Sequence, residues 1–232
     1  MNFLCLLPTI LSTGIMNPNY TDIDTTYPNT INVKVAMYIS NEGRQKYHDK
    51  MGDLGQNIES VKEKLMKALN QRADSDTSNK FSRFNFDIAV STEMPNGINL
   101  NQCGLSLGDI EHHLNDAQAQ DTDRHILLVY NCSSEPYEEH FIQRNLDYPL
   151  FTVDSKILCK TRNATFVDPE VPKFELVMAN FLLKAAGCPF DNAVTITSED
   201  GGDSGVMINY FIAKDSYEGI FKTSCGAFYQ YN

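Results

Sequence analysis

The five histidines of the chain do not form a metal-binding pattern, although imidazole is the side chain best suited to bind zinc or exchange protons near neutral pH. They are His48, His112, His113, His125 and His140. No two are four residues apart, the spacing that lets two imidazoles on one helix face share a metal. Adjacent His112 and His113 would point about 100° apart on a helix. The histidines therefore predict solvated or hydrogen-bonded side chains rather than a metal site.

The stretch GGDSG at 201–205 is similar to the sequence around the nucleophile of serine proteases. It follows the acidic segment TITSED, and no histidine lies in a recognisable context, so we interpret it as a Gly-rich turn. No cysteine lies beside a histidine either, and a cysteine nucleophile is not indicated.

The cysteines show neither a zinc-ribbon nor a thioredoxin spacing, because none forms a C-x-x-C pair. They are Cys5, Cys103, Cys132, Cys159, Cys188 and Cys225. If Cys5 is removed with a signal peptide, five remain. An odd number allows two internal disulfides at most and leaves one thiol free or available to another chain.

The most specific pattern is the end of an apolar helix in VMANFLLKAAGCPFD, residues 177–191. Only Asn180 and Lys184 interrupt the apolar surface, and they lie one helical turn apart. Gly187 can adopt the left-handed conformation that ends a helix, and Pro189 prevents the helix from resuming. The sequence therefore predicts a helix over about 172–186 and a sharp turn that brings Phe190 back toward it.

This turn resembles that of the metzincin zinc metalloproteases, in particular the adamalysin (ADAM-like) branch. Their motif is His-Glu-x-x-His-x-x-Gly-x-x-His, in which the helix and the chain after the Gly supply three zinc ligands. With Gly187 in register, the ligand positions are Asn180, Lys184 and Phe190, and the general base is Phe181. The residues that agree with the branch are Met178, Ala179, Leu182, Gly187 and Asp191.

Other features extend the resemblance over residues 31–227. Met207 in SGVMINY is the candidate for the Met-turn, and the resemblance implies a disulfide between Cys159 and Cys225. It also implies an antiparallel edge strand at about 148–153 that binds an extended peptide by strand addition. The candidate contact residues on that strand are Tyr148, Leu150, Phe151 and Val153.

The four site positions carry no group able to hold zinc or activate its water, because catalytic zinc needs three protein ligands and a base. The resemblance thus implies a pseudoenzyme with no catalytic residues, no metal and no cofactor, which binds a protein or an extended peptide. Three alternatives stay open: an unrelated α/β domain, an active zinc peptidase with other ligands, and a structural or coat protein of a secreted layer.

The strands and helices expected from the sequence alternate along the chain, which indicates a mixed α/β fold. Strands are expected at 31–40, 83–91 and 125–132, with one or two more within 148–159, and helices at 106–120 and at 42–72 with a break at Gly52 or Gly55. The run 125–132 is apolar throughout, as in a strand covered on both faces. The order predicts a twisted, mostly parallel sheet with an antiparallel edge strand, packed by two or three long helices.

Length and composition favour one domain over 31–232. The chain has 232 residues, 42% of them hydrophobic, and a net charge of -11, which argues against nucleic acid as a partner. The stretch 109–147 has nine Asp and Glu against Arg124 and Arg144, which indicates either a solvated acidic face or a site for a basic partner.

The N-terminus predicts secretion. Residues 1–14 read as a signal peptide and 15–30 as a lead-in loop, and no stretch is apolar enough for a membrane span. Glycosylation sequons at Asn19, Asn131 and Asn163 fit a secreted glycoprotein.

Overall fold

The computed structural model describes residues 30–75, 83–95, 97–155, 160–167, 174–200 and 206–222. The strands in this part of the chain are β1 (Thr30–Ile39), β2 (Arg83–Ser91), β3 (His125–Tyr130), β4 (Leu150–Ser155), β5 (Lys160–Phe166), β6 (Val194–Asp200) and β7 (Val206–Ile212). The helices are α1 (Asn41–Met51), α2 (Leu54–Ser75), α3 (Leu107–Gln120), α4 (Glu138–Gln143), α5 (Phe174–Ala185) and α6 (Lys214–Lys222), and a 3-10 turn (Glu135–Tyr137) precedes α4.

Five strands form one sheet in the order β2-β1-β3-β5-β4. The pairs β1–β2, β1–β3 and β3–β5 are parallel, while β4 pairs antiparallel with β5 at the edge. The predicted mixed, mostly parallel sheet is therefore confirmed. Strands β6 and β7 form a separate two-stranded antiparallel ribbon.

The central strand β3 is covered on both faces, as its unbroken apolar sequence predicts. All six of its residues are buried, and α3 packs on β3 and β5. Helices α2 and α5 pack against each other; α2 also contacts β2 and β7, and α5 contacts β5 and β6. Burial on both faces is what a parallel sheet with crossover helices requires.

Local signals explain where the helices begin and end. The side chain of Ser40 accepts a hydrogen bond from the Gly43 N–H at the start of α1, and Ser106 and Asp109 form a capping box at the start of α3. The break predicted within the helix over 42–72 is confirmed at Gly52, which takes a left-handed φ of 85° and ends α1.

Several elements were not predicted. Strand β5 has the sequence KTRNATF, whose polar residues hide it, and the ribbon and α6 lack a long periodic pattern. Thr30, assigned to the lead-in loop, begins β1. The predicted signal peptide, the rest of that loop, the GGDSG turn, Cys159 and Cys225 lie outside the described residues. Within the described part of the chain, every helix is too short or too polar to cross a membrane.

Candidate functional site

Helix α5 ends in two backbone hydrogen bonds that reverse the chain. The Gly187 N–H donates to the Lys184 carbonyl at 2.8 Å, and the Cys188 N–H donates to the Leu183 carbonyl at 3.1 Å. Gly187 has a φ of 102°, which only glycine adopts without strain. This pair of bonds is the Schellman motif, and it directs residues 189–194 back along the helix.

Asn180, the first of the two polar residues on α5, fastens the returning chain. Its side chain is buried, and Oδ1 accepts hydrogen bonds from the Ala193 N–H at 2.9 Å and the Val194 N–H at 3.0 Å. Its Nδ2 donates to the Leu176 carbonyl at 3.0 Å. The amide thus satisfies buried backbone donors at the start of β6, which is a structural role.

Lys184, the second polar residue, forms an ion pair with the same segment. Its Nζ lies 2.8 Å from Asp191 Oδ1, while Arg144 Nη2 lies 2.8 Å from Asp191 Oδ2. The Tyr148 hydroxyl donates to the Asp191 backbone carbonyl. Burial by itself raises the pKa of Asp191, but the hydrogen bonds from Lys184 and Arg144 outweigh it and hold the pKa below its usual value.

The two phenylalanines at the aligned positions lie in different environments. Phe181 is fully buried in the core, whereas Phe190 is 48% exposed. Phe190 lies in a shallow groove of about 460 Å³. We call this the Phe190 groove; its lining residues are Arg144, Asn145, Phe190, Asp191, Asn192, Asp215 and Ser216.

A second polar cluster lies at the carboxyl ends of β1 and β3. The chain leaves β1 toward β2, and it leaves β3 toward β4 and β5 on the opposite side, so these two ends flank the switch point where open α/β sheets commonly bind ligands. Residues 98–103, which we call the strap, contact both of these strand ends.

Polar contacts fix the strap to both strand ends. Asn101 Oδ1 accepts from the Ser40 hydroxyl at 2.7 Å and from Asn131 Nδ2 at 3.1 Å. The Asn131 N–H donates to the Leu100 carbonyl at 2.8 Å. A disulfide joins Cys103 to Cys132, directly after β3. The strap is therefore held against the carboxyl ends of β1 and β3.

The other residues singled out in the sequence are spread over the fold. Met207 lies in β7, opposite Glu199. On the edge, Tyr148 precedes β4, Leu150 and Phe151 are buried, and Val153 is half-buried. A role of this edge in peptide binding stays a prediction.

The histidines do not converge on one site. His113 Nδ1 lies 2.9 Å from the Tyr130 hydroxyl, and buried His125 accepts a hydrogen bond from the Thr161 N–H through Nδ1. Among the described residues, no group of three or more His, Cys, Asp or Glu side chains could hold a metal ion.

The side chains of Asn163 and Cys188 are both buried, which bears on the chemistry expected of each. Asn163 is fully buried in β5, where its Nδ2 donates to Thr152 and its Oδ1 accepts from Thr161, so a glycan at this sequon is incompatible with the folded sheet. Cys188 is a buried free thiol whose Sγ lies 3.6 Å from the Ser216 carbonyl, and burial raises its pKa to about 11. Its thiolate is therefore scarce at neutral pH.

Sequence reasoning missed the partners that explain the polar stripe on α5. Asp191 is only four residues beyond Gly187, and a Lys followed by an Asp across a helix-ending turn was a usable signal. Arg144 gave none, because 47 residues separate it from Asp191. The Cys103–Cys132 disulfide could not be chosen over other pairings from spacing alone.

These features define a disulfide-bonded mixed α/β protein in which the polar residues at the end of α5 hold the fold together. The chain belongs to the MICSWaP family of spore wall proteins, whose family model matches residues 32–226. A spore wall protein of Encephalitozoon cuniculi (strain GB-M1) is 31% identical over 174 residues, covering 75% of this chain and 79% of the relative. No solved structure matches the chain.

The family match corrects the resemblance to metalloproteases. The assignment to the metzincins and their ADAM-like branch is wrong, and so is the description of the chain as a pseudoenzyme of that family. The physical reason for the error is that a Gly-Cys-Pro helix ending is a general way to reverse a chain, independent of zinc. The predicted Cys159–Cys225 disulfide lies outside the described residues and loses the support of that resemblance.

Proposed function

We propose that this chain is a structural protein of a spore wall, located outside the cell, where it acts by assembly and binding. The observation that carries the proposal is the family match, which spans residues 32–226 and thus nearly all of the described α/β fold. The name of the Encephalitozoon cuniculi relative supports the same location.

The surroundings of the polar residues on α5 support this proposal. Asn180 is engaged by backbone N–H groups and Lys184 by Asp191, so both side chains serve the packing of α5 against the returning chain. At the carboxyl ends of β1 and β3, hydrogen bonds and a disulfide hold the strap in place in the same way. A disulfide also fits an oxidising environment outside the cytosol.

Immunogold electron microscopy of spores tests the location. Antibodies against the recombinant chain should place gold over the wall layers, with pre-immune serum as the control. Gold confined to the spore interior would contradict the proposal.

Extraction tests how the chain is held in the wall. Spores are extracted in detergent with and without a reductant, and the extracts are compared on reducing and non-reducing gels. Release only with reductant, together with larger species on the non-reducing gel, would show covalent incorporation through cysteines. Release by detergent alone, as a monomer, would limit the role to non-covalent binding.

A further inference from the structure

The Phe190 groove has the mixed chemistry of a binding surface. One aromatic ring lies among an arginine, two asparagines, two aspartates and a serine. Among the phenylalanines whose side chains the structure describes, only Phe190 and Phe211 are exposed, at 48% and 50%. The exposed face of the Phe190 ring is available for contact with a ligand.

One side of the Phe190 ring packs against helix α6. A Cβ atom placed on Gly219 of α6 would lie 2.9 Å from Pro189 Cδ and 3.4 Å from Phe190 Cε2, so the helix backbone lies directly against this segment. The Schellman turn at Gly187 fixes the other side. The exposed face is therefore preorganised, which lowers the entropic cost of binding.

The rim of the groove is held in place as well. Asn145 has a left-handed φ of 53°, and its carbonyl accepts a hydrogen bond from Asn192 Nδ2 at 2.5 Å. Arg144 is held by its ion pair with Asp191, and Asp215 is exposed at the start of α6. Planar amide, carboxylate and guanidinium groups thus surround one flat apolar face.

This arrangement matches the chemistry of a sugar ring. A pyranose has an apolar face of C–H groups that packs on an aromatic ring, and hydroxyls at its edge that both donate and accept hydrogen bonds. We propose that the Phe190 groove binds a chain of pyranose units. This inference deepens the proposed function, because it assigns a ligand class to a wall protein.

Other occupants fit less well. An amphipathic helix needs apolar anchors at i, i+3, i+4 and i+7, and the groove offers one apolar side chain. A second copy of the chain would bring a net charge of -11 against the same charge, which opposes association. A neutral, hydroxyl-rich polymer meets neither obstacle.

Titration with defined oligosaccharides tests the proposal. The probes are a hexamer of β-1,4-linked N-acetylglucosamine and a hexamer of β-1,3-linked glucose, each followed by calorimetry and by saturation-transfer NMR. The two probes share the pyranose face and differ in the acetamido group. We expect saturable binding of at least one probe, and comparison of the two shows whether the acetamido group is recognised.

Matched variants locate the binding. Phe190→Ala should weaken the affinity about ten-fold, because it removes the stacking face, while Asp215→Asn should weaken it less. Phe211→Ala is the control, since Phe211 is equally exposed but lies on the ribbon, with the Arg72 guanidinium 4.9 Å from its ring centre. Both phenylalanines are at the surface, so both variants should keep the circular dichroism spectrum of the parent chain.

Two results would overturn the proposal: no binding of either hexamer at millimolar concentration, or equal losses in Phe190→Ala and Phe211→Ala. Neither result bears on the location in the spore. If the chain lies in the wall but binds no oligosaccharide, only the ligand proposed for the Phe190 groove is contradicted. If it binds oligosaccharide but lies inside the spore, the proposed function is contradicted.

Discussion

Lys184 Nζ lies 2.8 Å from Asp191 Oδ1 and joins the last turn of α5 to the segment that leads into β6. The lysine side chain is only 5% exposed, while that of Asp191 is 24% exposed and also contacts Arg144. A buried charge needs such a partner, since an unpaired ammonium in the protein interior loses its hydration without compensation.

Removing the carboxylate should destabilise the fold more than removing the amine. Asp191→Ala removes the carboxylate that pairs with both Lys184 and Arg144, and we expect a loss of about 3 kcal/mol in the free energy of unfolding. Lys184→Met keeps the aliphatic stem and leaves Asp191 paired with Arg144, so the loss should be about 1 kcal/mol. Urea unfolding measures both, with exposed Glu63→Ala on α2 as the control. Equal losses at 184 and 191 would contradict this account.

Asn180→Leu should cost about 2–4 kcal/mol, because two buried backbone donors at Ala193 and Val194 lose their acceptor. The control is Asn192→Ala, which removes one hydrogen bond at the surface. Hydrogen exchange at Ala193 and Val194 should accelerate in the first variant only. Unchanged protection of these two amides would show that the Asn180 side chain does not hold them.

Stability should fall between pH 7 and 5 through His125. Burial lowers its pKa to about 3, so below about pH 6.5 the unfolded chain binds a proton that the folded chain excludes. The slope is at most about 1.4 kcal/mol per pH unit for this one group. His140, whose pKa burial also lowers, acts in the same direction.

The variant His125→Asn isolates this effect, because the amide oxygen can still accept from the Thr161 N–H while it cannot be protonated. Urea unfolding at pH 7 and pH 5 should show a smaller difference than in the parent chain. Gln71→Ala, at an exposed position on α2 and without a titratable group, should leave the difference unchanged. A parent chain equally stable at both pH values would rule out the assigned role of His125.

Replacing both Cys103 and Cys132 by Ser should lower the free energy of unfolding by roughly 3–4 kcal/mol, the loop-entropy value for a separation of 29 residues. Hydrogen exchange should increase mainly in residues 98–103. The buried thiol Cys188 provides the control, since Cys188→Ser leaves the disulfide intact. If the double variant matched the parent chain in urea, the strap would be held by its hydrogen bonds alone.

Much of the sheet could be predicted because its central strands are apolar. HILLVY in β3 and the alternating residues of β1 signal buried strands by composition alone. Strand β5 could not be found this way, because Asn163 and Thr165 are buried and hydrogen-bonded to side-chain and backbone oxygens that only the folded sheet supplies. Polar residues satisfied by distant partners are invisible to a pattern of hydrophobicity.

The candidate site was only half predictable, for a similar reason. The turn at Gly187 follows from local chemistry, since glycine and proline act on their own backbone. The assignment of Asn180 and Lys184 to a lost zinc site failed because spacing shows that two side chains share a helix face but not what they face. Their partners lie at 191–194, beyond a turn whose course only the structure shows.

The strap has a consequence for the order in which the chain folds. The hydrogen bond between Ser40 and Asn101 spans 61 residues, and closing so long a loop is slow and entropically costly. The Cys103–Cys132 bond spans 29 residues and ties the strap to the end of β3. Once it has formed, pairing β3 with β1 carries Asn101 to Ser40 in the same step. A disulfide that forms before the sheet therefore shortens the search by which Asn101 reaches Ser40, because the strap then moves with β3.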